Sequence, residues 1–259
     1  MISSVHSPKV QEIRALQGRA KKRREAGAFV VEGVRLAEEA LNSGWTARQA
    51  LYTENLGERG QHLLKTLKTH AVPAELVSES VMKAASDTQS PQGILLELEL
   101  RQMPLPARLS LVLILDGVAD PGNLGTLLRS AAAAGAEAVL LGPGSSDAFA
   151  PKVLRGGMGA HFRLAIRHME WNEVADLCKE RSLHSFLAEA GEGQPYDRVD
   201  LKENLAFIIG GEAHGTSQGA NALDPIQIHI PMPGRIESLN AAMAGTVLLF
   251  EALRQRRAK

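Results

Sequence analysis

The sequence predicts an α/β protein: a mostly parallel sheet with helices on both faces, preceded by a smaller N-terminal α/β domain. Three observations carry this expectation. After residue 110, short unbroken apolar runs alternate with helical patterns, as expected of strands buried on both faces. A stretch with Pro104, Pro106, Arg101 and Arg108 interrupts the chain before that alternation begins, which marks a linker. Several apolar runs then end in glycine, proline and polar residues, the composition of a strand opening into a functional loop. The expected division is an N-terminal domain over 1–100, a linker over 101–109 and a second domain over 110–259.

The elements follow in order. Val10, Ile13, Arg14 and Leu16-Gln17 have helical spacing on the way into the basic run Arg19, Lys21, Lys22, Arg23, Arg24. Phe29–Gly33 reads as a short strand. Val34–Asn42 reads as a helix with Leu36, Ala37, Ala40 and Leu41 on one face and Gly44 just past its end. Ile94–Leu100 reads as a strand. In the second half, strands are expected at Leu111–Asp116, Ala138–Gly142, Phe162–Ile166, Ser185–Ala188, Leu205–Ile209 and Ile226–Pro231. Helices are expected at Leu124–Ala134, which Gly135 ends, at Trp171–Arg181 and at Ser238–Gln255. Leu239, Met243, Val247 and Phe250 follow at spacings of four, four and three, a core stripe for the last helix.

Composition narrows the classes. At 44% hydrophobic and 22% charged, the chain has the make-up of a globular protein. Aromatic residues make up 4%, too few for base recognition on broad aromatic platforms. The formal net charge is zero, unlike many nucleic-acid binders, yet the basic residues cluster at 19–24 and again at Arg254, Arg256, Arg257 and Lys259. A phosphate backbone responds to a local patch; a solvated helix face is the alternative. One cysteine, Cys178, excludes a disulfide framework and a cysteine zinc site within one chain. No signal pattern or membrane-length apolar run is visible, so the expectation is a cytoplasmic protein with no membrane partner.

Three blocks in the second half carry the chemistry. The first is Asp120-Pro121-Gly122-Asn123-Leu124-Gly125-Thr126-Leu127-Leu128-Arg129. Its opening is a turn signal beyond the strand that ends at Asp116, where ligands of open α/β sheets bind. Arg129 has apolar neighbours, and a buried arginine needs an anion or a structural partner such as Asp116 or Asp120. The second block is Ile208-Ile209-Gly210-Gly211-Glu212-Ala213-His214-Gly215. Its two glycines let a ligand approach the backbone, and Glu212 is either a site residue or a surface cap. The third runs from Ile230-Pro231-Met232-Pro233-Gly234-Arg235 to Ser238-Leu239-Asn240, where Ser238 can cap the last helix. No helix-opening dinucleotide fingerprint is present; Gly142-Pro143-Gly144 fits a loop. No second histidine stands near His214, and no metal is expected.

Together and in this order, the blocks resemble the three motifs of the SpoU (TrmH-type) RNA 2′-O-ribose methyltransferases of the SPOUT superfamily. The segment Ser7-Pro8-Lys9-Val10, the basic run and Phe29-Val30-Val31-Glu32-Gly33-Val34-Arg35 resemble the substrate-binding domain attached to many rRNA-directed members. The resemblance implies a C-terminal trefoil knot, a homodimer and S-adenosyl-L-methionine as cofactor, with Gly210, Gly211, Ile230, Met232 and Leu239 holding it. It places Asn123 and Arg129 at the reactive ribose and assigns Glu212, Ser238 and Asn240 to the substrate side. Arg129 would either help remove the 2′-hydroxyl proton or stabilise the developing alkoxide; a guanidinium stays protonated, which makes the second role physically easier. Lys21, Lys22, Arg23, Arg24 and Arg155 are the expected RNA contacts, with Lys152 to His161 as a basic flexible segment. Ala241-Ala242 stand where the family commonly has Val-Ser, a departure that touches the fine geometry of the cofactor site. The activity implied is methyl transfer to a ribose 2′-hydroxyl, in 23S rRNA before tRNA. A resistance methyltransferase and a non-catalytic RNA-binding assembly factor are the alternatives.

Overall fold

The computed structural model describes residues 1–211, 216–234 and 237–258. The chain forms two compact units. The first holds Met1–Arg101 and Phe149–Phe162; the second holds Gln102–Ala148 and Arg163–Lys259. A single division at a 101–109 linker therefore differs from the structure, in which the chain passes between the units three times.

In the first unit, α1 (Pro8–Gly18) buries Val10, Ile13, Leu16 and Gln17 of the residues whose spacing predicts it, while Arg14 is exposed. α2 (Ala20–Ala26) carries the basic run and ends at Gly27 in the left-handed conformation. β1 (Ala28–Glu32), α3 (Val34–Asn42) and β2 (Ala47–Tyr52) come next. Then come α4 (Glu58–Thr69), β3 (Ala74–Leu76), α5 (Glu79–Ala85) and β4 (Ile94–Glu99). The strands form one sheet in the order β1-β4-β2-β3. β4, last in the chain, is antiparallel to both β1 and β2. Its all but continuous burial reflects that interior position.

The second unit has a seven-stranded sheet in which each pair of neighbouring strands runs parallel. β5 (Leu111–Asp116), α6 (Pro121–Ala134) and β6 (Ala138–Leu141) open it. α6 begins three residues before the apolar pattern suggests, because Asp120 caps it and Pro121 suits the first helical position. The chain then enters the first unit as α7 (Pro151–Gly157), a helix where a flexible basic loop is expected. Phe149 and Phe162, at the two ends of that excursion, pack against Phe29 and Trp45 respectively. The strand expected at Phe162–Ile166 is accordingly β7 (Ala165–His168), since Phe162 ends a 3-10 turn in the first unit's aromatic cluster. α8 (Trp171–Glu180), β8 (His184–Ala188), the two-residue β9 (Gln194–Pro195) and β10 (Leu205–Gly210) come after it. α9 (Gln218–Asn221), β11 (Ile226–His229) and α10 (Ala241–Arg257) complete the chain. The order is β7-β6-β5-β10-β8-β11-β9. The expected trefoil knot turns on the path through 212–215 and 235–236, outside the described residues.

Two expectations for α10 are corrected. Ser238 does not cap it; Asn240 does, accepting from the main-chain N–H groups of Ala242 and Met243 at 3.0 and 3.2 Å. The stripe Leu239, Met243, Val247, Phe250 is not the core face: Leu239, Met243 and Phe250 are 39, 58 and 43% exposed. The buried face is Ala241, Ala242, Gly245, Leu248, Leu249 and Ala252. Small residues face inward because α10 lies against α6 and β10 at close range. A Cβ on Gly245 would stand 2.5 Å from Leu127 Cδ2, and the hydroxyls of Ser130 and Thr246 are hydrogen-bonded at 2.7 Å.

Candidate active site

The carboxyl ends of β8, β10 and β11 open onto one cavity of about 350 Å³. Gly210, Gly211, Ile230, Met232 and Leu239, the five expected cofactor residues, all line it, as does Ser238. Its apolar walls come from Ile209, Ile228 and Leu248. Glu189 and Thr216 add polar groups that the sequence reading missed. Neither residue sits in a recognisable pattern; only the strand order, which sets β8 beside β10, brings Glu189 to the site. At Gly211 the main chain is bare of necessity, because a Cβ there would lie 2.3 Å from the Gly117 carbonyl oxygen. Apolar walls, a bare glycine backbone and a few polar groups at the margin suit a flat heterocycle with polar, charged extremities.

The first and third blocks meet directly. Asn240 Nδ2 donates to Asn123 Oδ1 at 3.0 Å while Asn240 Oδ1 caps α10. Asn123 lies in the first turn of α6, where its N–H donates to Asp120 Oδ1 at 2.8 Å. One asparagine pair therefore ties together the N-termini of α6 and α10, beside Ser238, Leu239 and Ala241 of the cavity wall. The positive ends of two helix dipoles at one place favour negative charge there, such as a phosphate or a developing alkoxide, although Asp120 and Asn240 already cap several of their N–H groups.

Arg129 departs from expectation. It is exposed on α6, on the side of Thr126 and away from Leu127 and Leu128. It makes no hydrogen bond or ion pair among the described residues. Neither suggested partner holds it: Asp116 accepts from Ser217 N at 2.7 Å, and Asp120 caps α6. Arg129 stands six residues from Asn123, about 9 Å along the helix axis. Glu212 lies outside the described residues.

The basic residues divide. Arg23 is buried, and its guanidinium donates to the carbonyl oxygens of Leu16 and Gln17 at 2.5 and 3.3 Å, closing the end of α1. It is a structural residue and not an RNA contact, because both carbonyls are orphaned where α1 stops. Lys21, Lys22 and Arg24 remain exposed. Lys22 lies 2.8 Å from Glu25 and holds that carboxyl below its usual range. Arg155 pairs with Asp87 at 2.9 Å. At the C-terminus, Arg256 donates to the carbonyls of Leu201, Ser110 and Glu203, while Arg254 and Arg257 stay exposed.

The SpoU rRNA Methylase family model matches residues 110–250, more than half of the chain. The chain belongs to that family. An MRM3-like substrate binding domain matches residues 7–96. The chain is 31% identical over 249 residues to the 23S rRNA (guanosine(2553)-2′-O)-methyltransferase RlmP of Bacillus subtilis, covering 96% of this chain and 97% of that one. It is 32% identical over 259 residues to the 23S rRNA (uridine(2479)-2′-O)-methyltransferase of Streptomyces viridochromogenes, covering 95 and 89%. Its structure resembles that of the SpoU methyltransferase AviRb from Streptomyces viridochromogenes in complex with AdoMet. The TM-score there is 0.88 at 28% identity, over 98% of this chain and all of that one. The α/β fold with its seven-stranded parallel sheet is thus that of a SpoU methyltransferase.

Proposed function

We propose that this SpoU-family chain transfers a methyl group from S-adenosyl-L-methionine to a ribose 2′-hydroxyl of 23S rRNA. The single observation that carries this reading is the cavity at the strand ends, on which the second and third blocks converge beside the Asn123–Asn240 pair. The cofactor would be held by the backbone at Gly210 and Gly211 and by Ile230, Met232 and Leu239. It supplies a methyl group on a cationic sulfur, with a neutral thioether as the departing group. The chain's own residues do the rest. Ile209, Ile228 and Leu248 keep water from the reacting centre. The paired N-termini of α6 and α10 orient the ribose and its phosphate. Arg129, which faces solvent, supplies positive charge to the 2′-oxygen as its proton passes to bulk water, with Glu212 and Ser238 completing the substrate side.

An rRNA target, before tRNA, is supported by the N-terminal substrate-binding domain and by relatives of nearly equal length named for 23S rRNA. Lys21, Lys22 and Arg24 are its phosphate contacts. The two relatives are named for different nucleotides, guanosine and uridine. We further propose a homodimer formed through the outer face of α10, since Met243 and Phe250 are large apolar side chains left in solvent by the single chain. The enzyme would work in the cytoplasm, where its target is; among the described residues no helix is long and apolar enough to cross a membrane.

Mapping of 2′-O-methylation across total RNA, with and without the gene, tests the reaction. Loss of one methyl mark in 23S rRNA is the expected result; a lost mark in tRNA instead would overturn the target, and an unchanged map the activity. For the dimer, Met243→Glu with Phe250→Glu is expected to halve the solution mass in light scattering. A wild type that already has the monomer mass would remove the interface.

A further inference from the structure

Two carboxylates at the ends of the two strands that flank β10 have no part in the methyl transfer as proposed. β10 lies between β5 and β8. Asp116 is the last residue of β5 and is buried. Its carbonyl oxygen accepts from Gly211 N at 2.8 Å, and its Oδ2 accepts from Ser217 N at 2.7 Å. Glu189 is the first residue after β8. Its Oε1 accepts from the Thr216 hydroxyl at 2.5 Å, and its N–H donates to the Ile228 carbonyl at 2.9 Å. The chain thus leaves β10 held by Asp116 at Gly211. It returns at two consecutive residues, each held by a carboxylate from a different flanking strand. Ser217 Oγ then caps α9 by accepting from Ala220 N at 3.2 Å, which anchors that short helix to the same point.

We propose that Asp116 and Glu189 form a two-carboxylate clamp that sets Gly211 and Thr216 in place at the cavity, and that both are positioning residues for S-adenosyl-L-methionine. The inference rests on the proposed cofactor site. Its physical basis is preorganisation. Hydrogen bonds to an ionised carboxylate are roughly twice as strong as neutral ones. Two of them on adjacent residues, with the Asp116 carbonyl at the entry, remove the freedom of the segment's ends before a ligand arrives. A ligand that meets an ordered wall does not have to order it. Asp116 does not line the cavity; it acts through Gly211 and Ser217.

Calorimetric titration of S-adenosyl-L-methionine into the full chain tests this, with Asp116→Ala, Asp116→Asn, Thr216→Val and Thr216→Ser beside the wild type. Asp116→Ala and Thr216→Val are expected to weaken binding by about tenfold or more, the loss of one charge-assisted hydrogen bond. Asp116→Asn keeps an acceptor and Thr216→Ser keeps the hydroxyl, so both should recover most of the affinity. In turnover the loss should fall on KM for the cofactor and far less on kcat, and RNA affinity without cofactor should not move. Thr216→Val preserves volume and removes only the hydroxyl, so it decides the matter if Asp116→Ala fails to fold. Wild-type affinity in Thr216→Val, or conservative variants as weak as their severe counterparts, would overturn the clamp. A wild type that does not bind S-adenosyl-L-methionine would instead overturn the cofactor site, and the clamp with it.

Discussion

Arg129 and Arg23 are both arginines with apolar residues within a helical turn, and they end in opposite situations. Arg129 is exposed and has no partner among the described residues. Arg23 is buried, and its guanidinium is occupied by the carbonyls at the end of α1. The sequence suggests the reverse, with Arg129 in a buried stripe and Arg23 in a solvated basic run. The difference teaches where a guanidinium is committed. Its five donors go to orphan carbonyls when a helix ends within reach, as α1 does beside α2, and stay available when the helix continues, as α6 does past Arg129. Arg256 is likewise committed to three carbonyls, here in the loops before β5 and β10, and burial pushes its guanidinium below the usual range.

This contrast can be broken by substitution. The largest effect is expected from Arg129→Ala: methyl transfer should fall by about 10²-fold or more, as for loss of a charge-stabilising donor. Cofactor binding and thermal stability should stay near wild type. Transfer at the wild-type rate would remove Arg129 from the reaction. Arg23→Ala should do the opposite, costing roughly 2–4 kcal/mol of stability by leaving buried carbonyls unpaired. Denaturant unfolding measures it, and an unchanged midpoint would contradict the structural role. Neutralising Lys21, Lys22 and Arg24 together, with Arg23 kept, should lower the salt slope of RNA binding by about 0.7 for each phosphate that is no longer neutralised. An unchanged slope would make the exposed run a solvated face.

The smallest effect concerns Arg48, an intermediate case. It donates to the carbonyls of Ala26 and Gly27 at the end of α2 and lies 3.8 Å from Glu97. That partial partner does not offset burial, which raises the Glu97 carboxyl above its usual range although Gln49 hydrogen-bonds it. A raised folded value means that this contribution to stability is present at low pH and is lost as pH rises through it. Glu97→Gln should therefore flatten stability above the ordinary carboxylate range and raise the melting temperature slightly at neutral pH. A melting curve with unchanged pH dependence would show that Glu97 is ionised without cost.

Much of the fold was legible in particular residues. The unbroken run Leu111–Asp116 could only be a strand covered on both faces, and it is interior to the seven-stranded sheet. Val10, Ile13, Leu16 and Gln17 marked the buried side of α1. On α10 hydrophobicity points to one face, but space decides which face turns inward. Alanine and glycine face the core there, as a larger side chain at Gly245 would meet Leu127. Met243 and Phe250 were left outside. The elements between residues 45 and 93 are not legible in the sequence, since β2 and β3 are short and half-buried and carry no clean period.

The sequence by itself determined the class of fold and the family resemblance and, through that resemblance, pointed to Gly210, Gly211, Ile230, Met232 and Leu239 of the cavity at the strand ends, because these depend on local patterns: apolar runs, glycines and turns at strand ends. Only the tertiary structure decided which of those residues meet. The Asn123–Asn240 hydrogen bond spans 117 positions, and the hold of Asp116 on Ser217 spans 101. Both depend on strand order and helix packing. A hydrogen bond needs two groups within about 3 Å, and no spacing along the chain encodes that distance between segments so far apart.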